Sequence, residues 1–507
     1  MDVLVLAPIF SIIFSAIISP LIGARSKNAR NAFISFVFCS ALALNTHYLL
    51  QSLRGAFTYV EIGLFGVNAA GLFMLELVLI LGFLGVVYSF GYIDEVLENE
   101  TYYILYNLFI MTMMGMVISF NILVIYGFLE ASCVIATILI MFSRRRSSIY
   151  AAYRYIALSL LGATIILIGL LWQYIITGTL NITGLTNLSS VHAITLSTIY
   201  FIGFGIKAGL LPFGFLWLPP AHSEAPIPIH ALLSAVFVQV AAFSMIRVIG
   251  NIGVTNLYVS YLMLIIGIAS MISGAVYSLI EAWWGSKYTR FHVGPKHICG
   301  LKRVWALSTI SEVGYISIFT GLIGVLMLEH VLPLSLGGAL LHIYNHGFCK
   351  AQLLFDSGVA IKATHAEDLN LMGGAGRTLP RTRLTFVIGC LGLSLIPFTL
   401  GVSTLKELVF AAEIPSFISI SVMITAGLTL IACFSAWYRA YIAEPKGEID
   451  IVWKVPKTMS SPGLVLNILT LALGSWITLN WMGIPFLADA EALSKAIRIL
   501  AETVIRR

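Results

Sequence analysis

Residues 203–235 read Gly-Phe-Gly-Ile-Lys-Ala-Gly-Leu-Leu-Pro-Phe-Gly-Phe-Leu-Trp-Leu-Pro-Pro-Ala-His-Ser-Glu-Ala-Pro-Ile-Pro-Ile-His-Ala-Leu-Leu-Ser-Ala. An apolar segment carries Lys207 near its middle, and five of the chain's sixteen prolines (Pro212, Pro219, Pro220, Pro226, Pro228) follow within twenty-one residues. Proline has no backbone donor and cannot continue a regular helix, so the stretch predicts a helix broken beside a charge. Lipid tolerates such a break only where the backbone is buried in protein or lines water. Broken helices of this kind mark ion and substrate pathways in transporters.

The flanking sequence places this break in a membrane. Of 507 residues, 59% are hydrophobic and 10% charged, against roughly 25% charged in a soluble domain. Apolar runs of about 20 residues, each long enough to cross a hydrocarbon core of roughly 30 Å, recur from end to end with no soluble domain between them. Hydropathy with Gly/Pro punctuation predicts an all-α polytopic membrane protein of about fourteen spans. They lie near 3–23, 31–51, 67–91, 101–119, 121–142, 151–177, 191–217, 226–249, 255–280, 303–327, 331–360, 384–411, 415–440 and 461–484. With the N-terminus outside, nineteen of the 29 Lys/Arg fall in inward loops, six (among them Arg54 and Arg247) on the outward side, and Arg154, Lys207, Lys350 and Lys406 within spans. That asymmetry agrees with an even span count and an outside N-terminus.

The start, Met1-Asp2-Val3, lacks the positive region of a signal peptide, and the run from Val3 to Gly23 is too long for one, so it is read as an uncleaved first span. Six cysteines, Cys39, Cys133, Cys299, Cys349, Cys390 and Cys433, lack the CxxC spacing of metal or cofactor sites and are expected to be buried and inert. Net charge is +6, but the cations lie between spans, which gives no support to a nucleic-acid partner. Leu493, Ile497, Leu500 and Val504 recur at helical spacing among Lys495, Arg498, Glu502 and Arg506, predicting an amphipathic surface helix. The loop 281–303, with Trp283, Trp284, Lys287, Tyr288, Arg290, His292, Lys296 and His297, reads as interfacial anchoring.

Each charge at the bilayer centre costs roughly 2.5–3.5 kcal/mol on insertion scales, so several need a common cause. Glu76, Glu130, Lys207, Glu312, His342, His346, Lys350, Asp356, Lys406 and Glu407 all fall within spans. At about 100° per residue, His342, His346 and Lys350 share a helix face, and Asp356 returns to that side. A pair of charges is enough to bind helices together, whereas carboxylates, lysines and histidines spread over many spans are what a proton relay requires. His342 and His346, four apart, would also suit a metal or haem, but His192, His222 and His230 lie near span ends, leaving too few ligands at that depth. Neither metal nor cofactor is expected.

With these residues in view the chain resembles the antiporter-like membrane subunits shared by respiratory complex I, membrane-bound hydrogenases and Mrp-type sodium/proton antiporters. Tyr126-Gly127-Phe128-Leu129-Glu130 is similar to the family's fifth-helix glutamate motif. Gly205-Ile206-Lys207-Ala208 through Pro212, Trp217-Leu218-Pro219, Ala221-His222, Ala225-Pro226 and Leu233-Ser234 resemble its broken seventh helix and following turn. Ala306-Leu307-Ser308-Thr309-Ile310-Ser311, His342, His346, Lys350, Phe355, Gly358, His365, Asp368-Leu369 and Gly373-Gly374 follow its second half in order. The resemblance covers roughly residues 65–440.

The resemblance implies two inverted five-helix repeats, spans 4–8 and 9–13, with helices 7 and 12 broken. The chain then divides into a three-helix segment (1–100), a first repeat (101–250), a second repeat (251–440), and a last helix with amphipathic tail (441–507). It also implies that Glu130 and Lys207 form a switching pair, that His222 marks the cytoplasmic mouth, and that His342, His346, Lys350 and Lys406 or Glu407 carry ions onward. Three positions depart from the family pattern: Gln239 where a titratable residue often bridges the halves, Leu405 where the twelfth-helix charge is expected, and Pro220 in place of an aspartate. The expected function is ion translocation, of protons or by sodium/proton antiport. The chain would be a cell-membrane subunit, without redox chemistry of its own, in a redox-driven complex with homologous membrane subunits and peripheral redox subunits. The alternatives are a non-redox Mrp-type antiporter subunit and, from another class, a self-sufficient solute transporter.

Overall fold

The computed structural model describes residues 3–93, 99–185, 188–252, 257–284, 300–326, 331–411, 414–444, 455–482 and 490–505. The first helix, α1 (Ala7–Gly23), is followed by α2 (Lys27–Leu53) and α3 (Ala69–Tyr92). Side-chain caps set two of these starts: Ser26 Oγ accepts from the Ala29 amide at 3.3 Å, and Asn68 Oδ1 from the Gly71 amide at 2.9 Å. Each satisfies a donor that the first helical turn leaves unpaired. Between α2 and α3 runs an antiparallel hairpin, β1 (Tyr59–Ile62) and β2 (Phe65–Asn68), turned at Gly63 with φ 61°. No strand was expected from the sequence.

Next come α4 (Asn99–Val117), α5 (Ile122–Ile140), α6 (Arg146–Thr177) and α7 (Ser190–Ala208). The seventh span breaks after α7, resumes as α8 (Gly214–Glu224), and is followed by α9 (Ile227–Leu232), a π-helical turn at Leu233–Phe237, and α10 (Val238–Ile252). Gly209, at φ 88°, ends α7 in the left-handed conformation that glycine adopts without penalty. The break is therefore at Gly209–Phe213, whereas Pro219 and Pro220 lie inside α8. The second half contains α11 (Leu257–Trp283), α12 (Leu301–Leu326), α13 (Val331–Thr364), the short α14 (Ala375–Thr378), α15 (Pro380–Leu393) and α16 (Val402–Leu405), the last continuing as a π-helical turn at Lys406–Phe410. Helices α17 (Ser416–Trp437), α18 (Lys457–Trp481) and α19 (Ala490–Ile505) complete the chain.

Eleven helical segments among the described residues are long and apolar enough to cross a membrane. Apart from the hairpin, the protein is an all-α, multi-pass membrane protein. Every residue of Ile227–Ile252 is buried, α12 is nearly so, and most of α3 is buried too. Around them α1, α2, α5, α6, α11, α17 and α18 turn apolar side chains outward, including Phe14, Ile17, Ile168, Ile175, Ile265, Ile420 and Ile424. An apolar exterior with hydroxyls, histidines and charges inside suits a chain solvated by lipid, which leaves no water to satisfy polar groups on the outside.

Small residues bring the inner helices together. On α11 and α12, Gly267 and Gly274 face Gly314 and Ser311; a Cβ on Gly274 would lie 2.4 Å from the Ser311 amide nitrogen. On α6 and α7, a Cβ on Gly162 would lie 3.1 Å from the Gly203 carbonyl oxygen. That close approach brings Lys207, one turn beyond Gly203, within reach of α6.

The amphipathic tail forms α19, with Leu500, Ala501 and Val504 buried and Arg498 paired with Glu502 at 2.8 Å on the exposed side. Thr503 fastens it to the start of α3: its carbonyl accepts from Asn68 Nδ2 at 2.5 Å and its hydroxyl from the Ala70 amide at 3.1 Å. Arg247, expected on the outward side, is buried in α10. There it donates to the Val117 carbonyl at 2.9 Å, at the end of α4, with its guanidinium 4.1 Å from the centre of the Phe120 ring. Trp283 and Trp284 are exposed at the end of α11. The remainder of that charged loop, from 285 to 299, including Lys287, Arg290, His292, Lys296 and His297, lies outside the described residues.

Candidate functional site

The break at Gly209 leaves Lys207 in the last turn of α7, where the negative end of the helix dipole favours a cation. Lys207 is 2% exposed. Its Nζ donates to Glu130 Oε1 at 2.7 Å, Ser159 Oγ at 2.8 Å and Cys133 Sγ at 3.2 Å. Ser159 Oγ in turn donates to Cys133 Sγ at 2.9 Å. An ammonium has three donors, and here each has a partner. The Glu130 side chain remains 24% exposed, so the pair joins a closed interior to the outer face of α5. Cys133, expected to be inert, is a member of this cluster. Its spacing of three residues from Glu130, one helical turn along the same face, was the available signal.

His222 is not at an open mouth. It is fully buried in α8, its ring 5.9 Å from that of Trp217 and 5.1 Å from that of His230. Among the described residues, no ring nitrogen of His222 or His230 makes a hydrogen bond. Gln239 is also buried in α10, and among the described residues neither of its amide atoms is hydrogen-bonded.

A second polar cluster centres on Glu312 of α12, which was singled out as an intramembrane charge but not placed among the site residues. His342 Nε2 lies 3.5 Å and His346 Nδ1 3.9 Å from Glu312 Oε2, all three side chains being fully buried. His342 Nε2 is also 3.0 Å from the Glu312 carbonyl oxygen, while its Nδ1 is 3.0 Å from Thr404 Oγ1 of α16. His346 Nε2 is 3.1 Å from the carbonyl oxygen of Ser234, in the π-helical turn that follows the broken helix. Ser234 Oγ is 2.6 Å from Thr309 Oγ1, and Thr309 donates to the Trp305 carbonyl at 2.8 Å. Lys350 Nζ donates to that carbonyl at 3.3 Å and to Ser308 Oγ. Hydroxyls, imidazoles and a carboxylate thus run from the α9–α10 turn across α12 and α13 to α16. Ser234, Thr309 and Thr404 were not identified as site residues from the sequence because single hydroxyls are common in any membrane helix.

One further expectation needs amendment. Asp356 does not share the environment of Lys350: it accepts from Gln352 Nε2 at 3.1 Å and packs against Gly463 of α18. The neighbours Lys406 and Glu407 point different ways. Glu407 is buried, with its Cβ 3.3 Å from the Cβ position of Gly338 on α13, whereas Lys406 is exposed. Among the described residues, no group of three or more His, Cys, Asp or Glu could hold a metal ion. Glu76, the remaining intramembrane carboxylate, accepts from Asn45 and Thr46 at 2.6 Å each.

The sequence matches the NADH:quinone oxidoreductase/Mrp antiporter transmembrane family over residues 119–282 and 298–434. NADH-quinone oxidoreductase subunit N of Desulforudis audaxviator is 28% identical over 425 residues, 79% of each chain. Hydrogenase-4 component B of Escherichia coli is 25% identical over 409 residues, 76% of this chain and 58% of that one. Antiporter subunit mnhA2 of Staphylococcus saprophyticus is 27% identical over 400 residues, 75% of this chain and 48% of that one. The chain thus spans about half the length of the antiporter subunit it matches. A chain of the Mrp complex from Dietzia sp. DQ12-45-1b superimposes with a TM-score of 0.80 at 18% identity, covering 99% of this chain and 98% of that one. A chain of the membrane-bound sulfane sulfur reductase, an archaeal respiratory membrane complex, does so with a TM-score of 0.77 at 18% identity over 99% of both. At that identity the two structures establish a shared fold. The sequence match takes in both polar clusters and covers more than half of the 507 residues: the chain belongs to the NADH:quinone oxidoreductase/Mrp antiporter transmembrane family.

Proposed function

We propose that the chain is an ion-translocating subunit, for protons or for sodium/proton antiport, of a redox-driven multisubunit membrane complex. The observation that carries this reading is the Lys207–Glu130 pair, its lysine buried beside a helix break. Burying a charge in a membrane is costly, and a lysine placed against a carboxylate can change partner or proton when either group moves. Glu312 with His342 and His346 forms the second element, the hydroxyls of Ser234, Thr309 and Thr404 extend it, and Glu407 leads towards the outward side. Lys350 is the cationic partner of the second half, and the buried His222 and His230 belong to the path behind the broken helix. Gln239, which cannot titrate, passes the ion through water. In this reading Glu407 rather than Lys406 serves the twelfth span, because Glu407 faces α13.

The same proposal takes the chain as fourteen spans with inverted repeats at spans 4–8 and 9–13, divided at about residues 100, 250 and 440. The N-terminus lies outside the cell membrane. Homologous membrane subunits and peripheral redox subunits are its partners, as suggested by similarity to proteins named for NADH-quinone oxidoreductase, hydrogenase-4 and sulfane sulfur reductase. The second reading, a subunit of a non-redox Mrp-type antiporter, draws on the Dietzia chain, which matches along nearly its whole length. Copurifying iron–sulfur proteins separate the two. Lys207→Ala tests the core of both: ion movement by the assembled complex in proteoliposomes should be lost with assembly intact, and normal movement would sink the reading.

A further inference from the structure

We infer that Cys133 is a positioning residue of the Glu130–Lys207 pair, forming with Ser159 a second, neutral dock for the Lys207 ammonium. This inference rests on the reading of that pair as the switching element. The ammonium divides its three donors among a carboxylate at 2.7 Å, a hydroxyl at 2.8 Å and a sulfur at 3.2 Å. The carboxylate is the one partner that is both charged and partly exposed. It is therefore the one whose grip changes when Glu130 gains a proton, turns outward or meets a new cation. Ser159 and Cys133 are neutral and buried, so their hold on Lys207 persists through such a change.

The two neutral groups depend on each other. Ser159 Oγ donates its proton to Cys133 Sγ at 2.9 Å, which leaves its lone pairs turned to the ammonium. A hydroxyl whose proton has no fixed acceptor can rotate, and the dock then loses both its sulfur contact and its orientation. The sulfur is a weak, polarisable acceptor that completes the ammonium's shell. Cys133 reaches the site because it lies one turn beyond Glu130 on α5, and Ser159 because the Gly162–Gly203 contact brings α6 against α7.

The test compares Cys133→Ala, Cys133→Val and Cys133→Ser in the assembled complex. Ala and Val should lower ion translocation about ten-fold, as expected for losing one hydrogen bond to a charged group, with assembly unchanged. Ser, which keeps an acceptor, should restore most of the rate. Normal translocation in Cys133→Val, or a Ser variant as impaired as Val, would overturn the inference, because shape rather than hydrogen bonding would then be what matters. A second measurement requires no transport. The infrared S–H band isolated by subtracting the Cys133→Ser spectrum from the wild-type spectrum should move when Lys207 is replaced by Ala. A band that stays in place overturns the contact itself, whereas normal translocation by Lys207→Ala would instead overturn the ion-translocation reading.

Discussion

Replacing Glu130 by Gln removes the charge from the Lys207 pair and little else. Breaking a buried, hydrogen-bonded ion pair costs about 3–5 kcal/mol. Glu130 retains a quarter of its side-chain exposure, so solvent screening places the loss at the lower end, about 3 kcal/mol. The glutamine oxygen still accepts from Nζ and returns about 1 kcal/mol as a neutral hydrogen bond. The net, about 2 kcal/mol, corresponds to roughly thirty-fold in the balance between the two arrangements of the lysine. Ion translocation should therefore fall by about thirty-fold in Glu130→Gln, while the complex assembles normally, because Ser159 and Cys133 still hold the ammonium. The assay is ion flux into proteoliposomes carrying the purified complex, with assembly followed on native gels. A fully assembled Glu130→Gln complex within about three-fold of the wild-type rate would refute the argument, since 2 kcal/mol cannot be lost from the switching pair without a larger effect.

The twelfth span offers a sharper contrast. Lys406 and Glu407 are adjacent in the π-helical turn, and only Glu407 is buried, against α13. Flux should fall by about ten-fold or more in Glu407→Gln and by less than about two-fold in Lys406→Ala; the reverse order would assign the role to the lysine. Gln239→Leu should slow translocation yet raise the melting temperature of the complex. The reason is that an unpaired buried amide destabilises by roughly 1–3 kcal/mol, and neither amide atom of Gln239 is hydrogen-bonded among the described residues. A lower melting temperature would show that Gln239 is satisfied in the assembled complex.

The fold was legible in this sequence wherever lipid imposes a rule. Span length follows from hydrocarbon thickness, and a proline cluster beside a lysine can only be a protein-lined break. The chain does break between α7 and α8. These rules did not locate the break to the residue: Gly209 ends α7 and Pro212 falls in the gap, whereas Pro219 and Pro220 lie inside α8. A proline within the first turns of a following helix leaves few carbonyls unpaired, so its presence alone does not mark the interruption. The hairpin at Tyr59–Asn68 went unseen because eight paired residues beside long apolar runs give too short an alternation to stand out.

The site was legible in proportion to what its members cost. Lys207, Glu130, Glu312, His342, His346 and Lys350 are expensive in a membrane, so each signals itself in one sequence. Cys133, Ser159, Ser234, Thr309 and Thr404 are cheap there, and a hydroxyl that bonds a carbonyl one turn back is unremarkable in any helix. Yet these inexpensive residues surround the costly ones: the Ser234 carbonyl meets His346 while its hydroxyl meets Thr309, and the Thr404 hydroxyl meets His342. The asymmetry has a physical basis. A group that holds an ion must bind it strongly, and strong binding requires charge. A group that passes the ion on must bind weakly enough to release it, and weak binding leaves a sequence looking ordinary. Under the proposed function the same reasoning applies to Gln239, where a titratable residue would hold the ion and an amide would let it go.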